Sequence, residues 1–97
     1  MVDITSGCTF YKRVNGPWTE MLIKTAATAD DTNTIAINLP DNGIKSFETI
    51  MGWIQTASGS IIATEEPITS VSSGVLTITV GGSTDNKIRT FKIGGLN

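Results

Sequence analysis

Acid–base chemistry near neutral pH draws most often on histidine, and this 97-residue chain contains none. That removes Ser-His-Asp and Cys-His nucleophilic sets and the usual zinc ligands. Two carboxylate pairs remain, Asp30-Asp31 and Glu65-Glu66. Adjacent residues on a strand point to opposite faces, so such pairs are badly placed to work as an acid/base couple across a cleft. Asp30, Asp31 and Asn33 have the oxygen donors a calcium ion takes, but the regular DxDxDG loop is absent. Cys8 is the only cysteine, which forbids an internal disulfide; with no base beside it, it reads as a small buried hydrophobe. We therefore expect no catalytic residue, no metal and no cofactor.

The glycine-rich run "GGSTDNK", Gly81 to Lys87, raises the one remaining catalytic possibility, a phosphate-cradling loop. Such a loop needs a helix after it whose N-terminus offers free N–H groups, and a lysine succeeded by serine or threonine. The chain continues instead as "KIRTFKI", a strand pattern. The stretch reads as a hairpin loop between two alternating runs, with Gly81 and Gly82 supplying unusual backbone angles.

The elements that would position any site are strands. Threonine occurs 15 times, isoleucine 13 and valine five, about a third of the chain, while leucine occurs four times and alanine six. Side chains branched at Cβ crowd a helix and suit a pleated sheet. "CTFYKRV" and "TEMLIKTA" flank the turn signal "NGPW" and read as a hairpin. "TIAINL" alternates, with Ile35, Ile37 and Leu39 inward. "IKSFE" fits either a helical turn or the lead-in to "TIMGWIQTA", which pairs back through "SGS" to "IIATE". "ITSV" after Pro67 suits an edge strand, since proline cannot donate to a ladder. "VLTITV" alternates, with Leu76, Ile78 and Val80 inward. In "KIRTFKI" the period slips between Ile88 and Phe91, which a β-bulge near Arg89 to Phe91 would reconcile. The fold class is all-β: a single domain over residues 1–97, a small sandwich or barrel of seven to eight short, mainly antiparallel strands. Ile50 and Ile54 complete the predicted core.

Charge narrows the partners. Seven basic residues against nine acidic give a net charge of −2, which argues against a nucleic-acid binder. Lys87, Arg89 and Lys92 recur at strand spacing and read as a solvated face. No apolar run is long enough to span a membrane, and Met1 to Cys8 lacks the blocks of a signal peptide, so export by that route is not expected. Sparse charge leaves little repulsion between copies and suits an assembling unit.

The stretch "SFETIMGWIQTASGSIIATEEPITSVSSGVLTITVGGSTDNKIRTFKIGG", Ser46 to Gly95, resembles small β-rich proteins encoded among the head genes of tailed bacteriophages. The likeness covers about half the chain and lies in a strand-turn rhythm. The resemblance implies a capsid decoration or cement protein on the outer surface of the virion head. It would be made in the host cytoplasm, with the major capsid protein and further copies of itself as partners. Phe10, Tyr11 and Trp18 are the candidate anchors, since aromatic side chains dominate binding hot spots. Residues 1–8 would serve as an extended N-terminal arm, and deleting Met1 to Ser6 should weaken capsid attachment while leaving the melting temperature almost unchanged. A second reading, from the aromatics alone, is a carbohydrate-binding or adhesion module in which Trp18 belongs to a sugar platform.

Overall fold

A computed structural model describes residues 2–26, 29–30, 32–56, 60–64, 67–81 and 87–97. They form eight strands and two three-residue 3-10 turns, Thr5–Gly7 and Pro40–Asn42. The strands are β1 (Thr9–Asn15), β2 (Trp18–Lys24), β3 (Thr34–Asn38), β4 (Ser46–Gln55), β5 (Ile61–Thr64), β6 (Ile68–Ser72), β7 (Val75–Thr79) and β8 (Ile88–Leu96). A broad sheet orders them β1-β2-β8-β4-β5 and a narrow sheet β3-β7-β6, with every strand pair antiparallel. The fold is all-β and sandwich-like, as the composition predicts.

Three hairpins are local. β1 and β2 close through Gly16-Pro17, with Asn15 opposite Trp18. β4 and β5 join as expected, with a register shift at Ile54/Gln55, and "IKSFE" proves to be strand lead-in. β6 and β7 turn on Ser73 and Gly74, whose φ angles of 52° and 78° are the pair a type I′ hairpin needs.

The core lies between the sheets. Ile23, Ile35, Leu76, Ile78, Val80, Phe91 and Ile93 are wholly excluded from solvent, with Ile37, Leu39, Ile44 and Met21 close behind. Fully burying each large aliphatic chain contributes about 1.5–3 kcal/mol before conformational entropy is counted. The predicted core positions are all inward, Ile50 only partly buried.

Two expectations fail together around β8. The run 81–87 is not a hairpin loop, because β7 pairs with β3 and β6 whereas β8 pairs with β2 and β4 in the other sheet. Residues 82–86 of the connection, with most of the glycine-rich motif, lie outside the described residues. Nor is there a bulge at Arg89 to Phe91: β8 keeps unbroken register with β2 and with β4 from Thr49 to Gln55. The alternation runs Arg89, Phe91, Ile93 inward, and Arg89 is fully buried. Its guanidinium donates to the carbonyls of Ala29 (2.6 Å) and Gly81 (3.1 Å), and its own N–H donates to Thr25 Oγ1 (2.8 Å). Charge-assisted bonds to backbone carbonyls satisfy a group that would otherwise be costly to bury. Lys92 points to the opposite face, so Lys87, Arg89 and Lys92 do not form one solvated face.

The N-terminal segment is bound along β3. Thr34 N–H donates to Val2 O and Ile4 N–H to Thr34 O, each at 2.8 Å. Ala36 N–H donates to Thr5 Oγ1, also at 2.8 Å, and the side chains of Ile4 and Cys8 pack on the core. Residues 2–8 therefore cover an edge of the narrow sheet where an extended arm was expected.

Candidate functional site

A cleft of about 770 Å³ opens at one end of the sandwich between Leu39, Pro40, Ile44, Phe47 and Val71. Among the described residues on its lining, Lys45 has the one titratable side chain. An apolar wall with a single lysine supplies no base, nucleophile and acid in mutual reach.

Among the described residues considered for chemistry, none forms a catalytic group. Asn33 Oδ1 accepts the N–H of Asp30 at 2.8 Å and so serves its own loop. Asp31, Glu65 and Glu66 lie outside the described residues. Among the described residues no three Cys, Asp or Glu side chains are grouped to hold a metal ion. The Cys8 thiol is half-buried and donates to Ile4 O at 3.3 Å. Burial, and secondarily the Asp3 charge, raise its pKa, so it stays a thiol at neutral pH.

The broad sheet builds a surface rather than a cleft. Along β2, Thr19, Met21 and Ile23 are buried, so Trp18, Glu20, Leu22 and Lys24 face outward. The cross-strand register sets these in rows. One row runs Tyr11, Leu22, Lys92, Met51 across β1, β2, β8 and β4. The next runs Thr9, Lys24, Thr90, Trp53, and on the other side lies Arg13, Glu20, Gly94, Thr49. In the central row Tyr11 is 57%, Leu22 37% and Met51 54% exposed. Tyr11 and Leu22 thus lie side by side in water, Lys92 stands between Leu22 and Met51, and Arg13, Glu20 and Lys24 flank the row. The Lys92–Glu20 ion pair, at 3.6 Å and largely solvated, adds little to stability.

Trp18 sits over Gly94: a Cβ added there would come within 2.6 Å of the indole Cζ2. Only a residue without a side chain lets the ring lie flat on the sheet. Trp18 is half-buried by this seat and joins the outward face with one ring surface.

The three predicted anchors do not form one patch. Tyr11 and Trp18 share the outward face, two rows apart. Phe10 lies opposite Ile23 and so points to the inner side of β1. The inner side of β1 is nonetheless exposed, Phe10 at 39% and Val14 at 60%, so this strand has solvent on both faces. Alternation in the sequence already sets Leu22 with Lys24 opposite Met21 and Ile23, and Met51 with Trp53 opposite Ile50 and Ile54, but it does not show that Leu22 and Met51 share a row with Tyr11.

The narrow sheet's outward face has different chemistry. Its rows are Thr34-Thr79-Ile68, Ala36-Thr77-Ser70 and Asn38-Val75-Ser72, with no charged residue among the nine.

No family model matches the chain, and no curated protein matches it. Among solved structures it is similar to the bovine atadenovirus type 4 fibre head protein, with a TM-score of 0.47 and 14% identity over 91% of this chain and 84% of that one. No helix among the described residues is long and apolar enough to cross a membrane.

Proposed function

We propose that this chain is a structural virion protein that decorates and reinforces the outer surface of a tailed-phage head, docking through the outward face of its broad sheet. The observation that carries the reading is the row Tyr11, Leu22, Lys92, Met51, which sets apolar anchors and a cation side by side on one flat, open face. Aromatic and methionine side chains are enriched in interfaces, and aromatic ones dominate binding hot spots. Specific, stable contacts bury about 1,200–2,000 Å² in total, which asks for most of one face of a domain this small. The resemblance of Ser46 to Gly95 to phage head proteins supplies the kind of partner, the major capsid protein. In this reading the work is done by contact, and no residue acts as catalyst.

The test is direct. Virions of the phage that encodes the chain should contain it in a copy number set by the capsid symmetry, and Leu22→Glu with Met51→Glu should abolish its attachment. Absence from virions would reject the reading.

A second reading is favoured by a shallow pocket of about 290 Å³ on the same face, where Tyr11 stands among Arg13, Glu20 and Lys92. An aromatic ring flanked by polar groups suits a sugar ring, as in an adhesion module. Saturable glycan binding lost in Tyr11→Ala, by protein absent from virions, would favour it.

A further inference from the structure

The four strands that end the two sheets differ in how their free backbones are dealt with. β3 is bonded to residues 2–5. β6 has five residues and comes just after Pro67. β5 has four, and its register against β4 is broken. β1 runs seven residues in unbroken register with β2, carries neither proline nor bulge, and pairs with no strand on its other side among the described residues. A long, regular, uncovered edge is a template for a further strand.

The turn decides which groups that edge offers. Asn15 and Trp18 close a two-residue loop as a hydrogen-bonded pair, so Arg13, Tyr11 and Thr9 also bond to β2. Phe10, Lys12 and Val14 hold their N–H and C=O groups outward.

We propose that β1 pairs antiparallel with β1 of a second copy about a two-fold axis through Tyr11, joining two five-stranded sheets into one of ten strands. Directly opposite residues in such a pair share a face, which limits the axis to passing through a residue. An axis at Lys12 would set Lys12 against its own copy, and one at Arg13 would do the same to arginine. One at Phe10 leaves only Thr9 to Tyr11 overlapping. With Tyr11 on the axis, no like charges are opposed: Lys12 faces the other copy's Phe10 and Arg13 faces its Thr9. The ammonium of Lys12 then lies over a ring that its own domain leaves exposed. The outward face of the broad sheet continues across the junction, with the two Tyr11 rings side by side.

A single strand edge buries less than the roughly 1,200 Å² of a stable interface. The dimer is therefore weak and dissociates on dilution. The pairing belongs to the free protein and does not rest on the capsid reading, so a strict monomer found on virions would refute the first and leave the second.

Two measurements test it. In a Cys8→Ala background, Tyr11→Cys places two thiols in a non-hydrogen-bonded pair with Cα atoms about 4.5 Å apart, within disulfide reach. Mild oxidation should give several-fold more covalent dimer than Lys12→Cys in the same background. Separately, Lys12→Pro removes only an N–H that points away from β2, so the β1–β2 ladder is kept. Sedimentation should show the concentration-dependent dimer of the wild type lost in Lys12→Pro, with the melting temperature nearly unchanged. Preferred crosslinking through Lys12→Cys, no crosslink through Tyr11→Cys, or a wild type that stays monomeric at millimolar concentration would each overturn the proposal. If Lys12→Pro fails to fold, the crosslink comparison decides alone.

Discussion

The outward faces of the two sheets obey the same strand alternation and have almost nothing else in common. The broad sheet presents tyrosine, leucine, methionine, half-buried tryptophans and charged groups of both signs; the narrow sheet presents threonine, serine, alanine, asparagine and two apolar residues, Ile68 and Val75. Inward, both are mainly apolar: isoleucine, phenylalanine and methionine on the broad sheet, with buried Thr19 and Arg89, and isoleucine and leucine on the narrow one. Folding constrains the inward residues of each sheet and leaves the outward ones nearly free. A difference confined to the outward side is therefore a difference in what the two faces meet. Bulky apolar groups displayed beside cations offer anchors to a partner, whereas short hydroxyl side chains keep a flat sheet hydrated.

The largest effects should fall on the interior that both faces share. Arg89→Ala would leave the carbonyls of Ala29 and Gly81 short of a donor and open a cavity, at a cost of about 3–5 kcal/mol in urea unfolding. Ile78→Ala, on the narrow sheet's inner side, should cost ~2–5 kcal/mol. A loss below about 1 kcal/mol at either site would mean the sheets are not packed as described. Next comes the N-terminal segment. Removing residues 1–6 strips three 2.8 Å bonds from β3 and the packing of Ile4, so the narrow sheet should lose about 1–3 kcal/mol, seen as a lower melting temperature.

The faces themselves are distinguished by smaller changes. Leu22→Glu, Met51→Glu and Thr77→Glu should each alter stability by about 0.5 kcal/mol or less. Only the first two should weaken capsid attachment, and attachment should shift the fluorescence of Trp18 and Trp53, which both lie on the broad face. Release by Thr77→Glu instead would reverse the assignment of the faces. The smallest effect concerns pH. The Thr5 hydroxyl and then the Thr5 N–H, bonded to Asp3 Oδ1 at 2.5 and 2.8 Å, lower the Asp3 pKa from its ordinary value of 3.8. A depressed carboxyl pKa contributes stability above the unfolded value and loses it as pH falls through the folded one. A shallow loss of stability below about pH 4 should therefore flatten in Asp3→Asn. An unchanged slope would show that the turn is not held by this carboxylate.

Strand identity is legible wherever polar and apolar residues alternate, as in "TIAINL" and "VLTITV", because period two has one structural meaning. Sheet membership is not. The run from Val80 to Lys87 has the composition of a hairpin loop, and local residues carry no signal that the chain crosses to the other sheet. Arg89 misleads for a related reason. A charged side chain reads as outward, which turns a regular strand into a bulged one; the carbonyls that accept its bonds lie 60 and eight residues away in sequence. Of the surface, Tyr11 and Trp18 are legible as aromatics near a turn. Phe10 does not belong with them, because neighbouring residues on a strand face opposite ways. Alternation already sets Leu22 and Met51 on the faces away from Ile23 and Ile50; that both stand in Tyr11's row is visible only in the cross-strand register.

The position of β8 also bears on the order of events during synthesis. This strand lies in the middle of the broad sheet yet is nearly the last part of the 97 residues to emerge from a ribosome. The β1–β2 and β4–β5 hairpins can close early, but each keeps an open edge and an uncovered apolar side until Ile88 to Leu96 arrives between them. Pairing across such sequence distances is slow, and unpaired edges invite association with other chains. Crowded expression would thus be most hazardous in the interval before β8 inserts, and a chain lacking Ile88 to Leu96 should be found in aggregates.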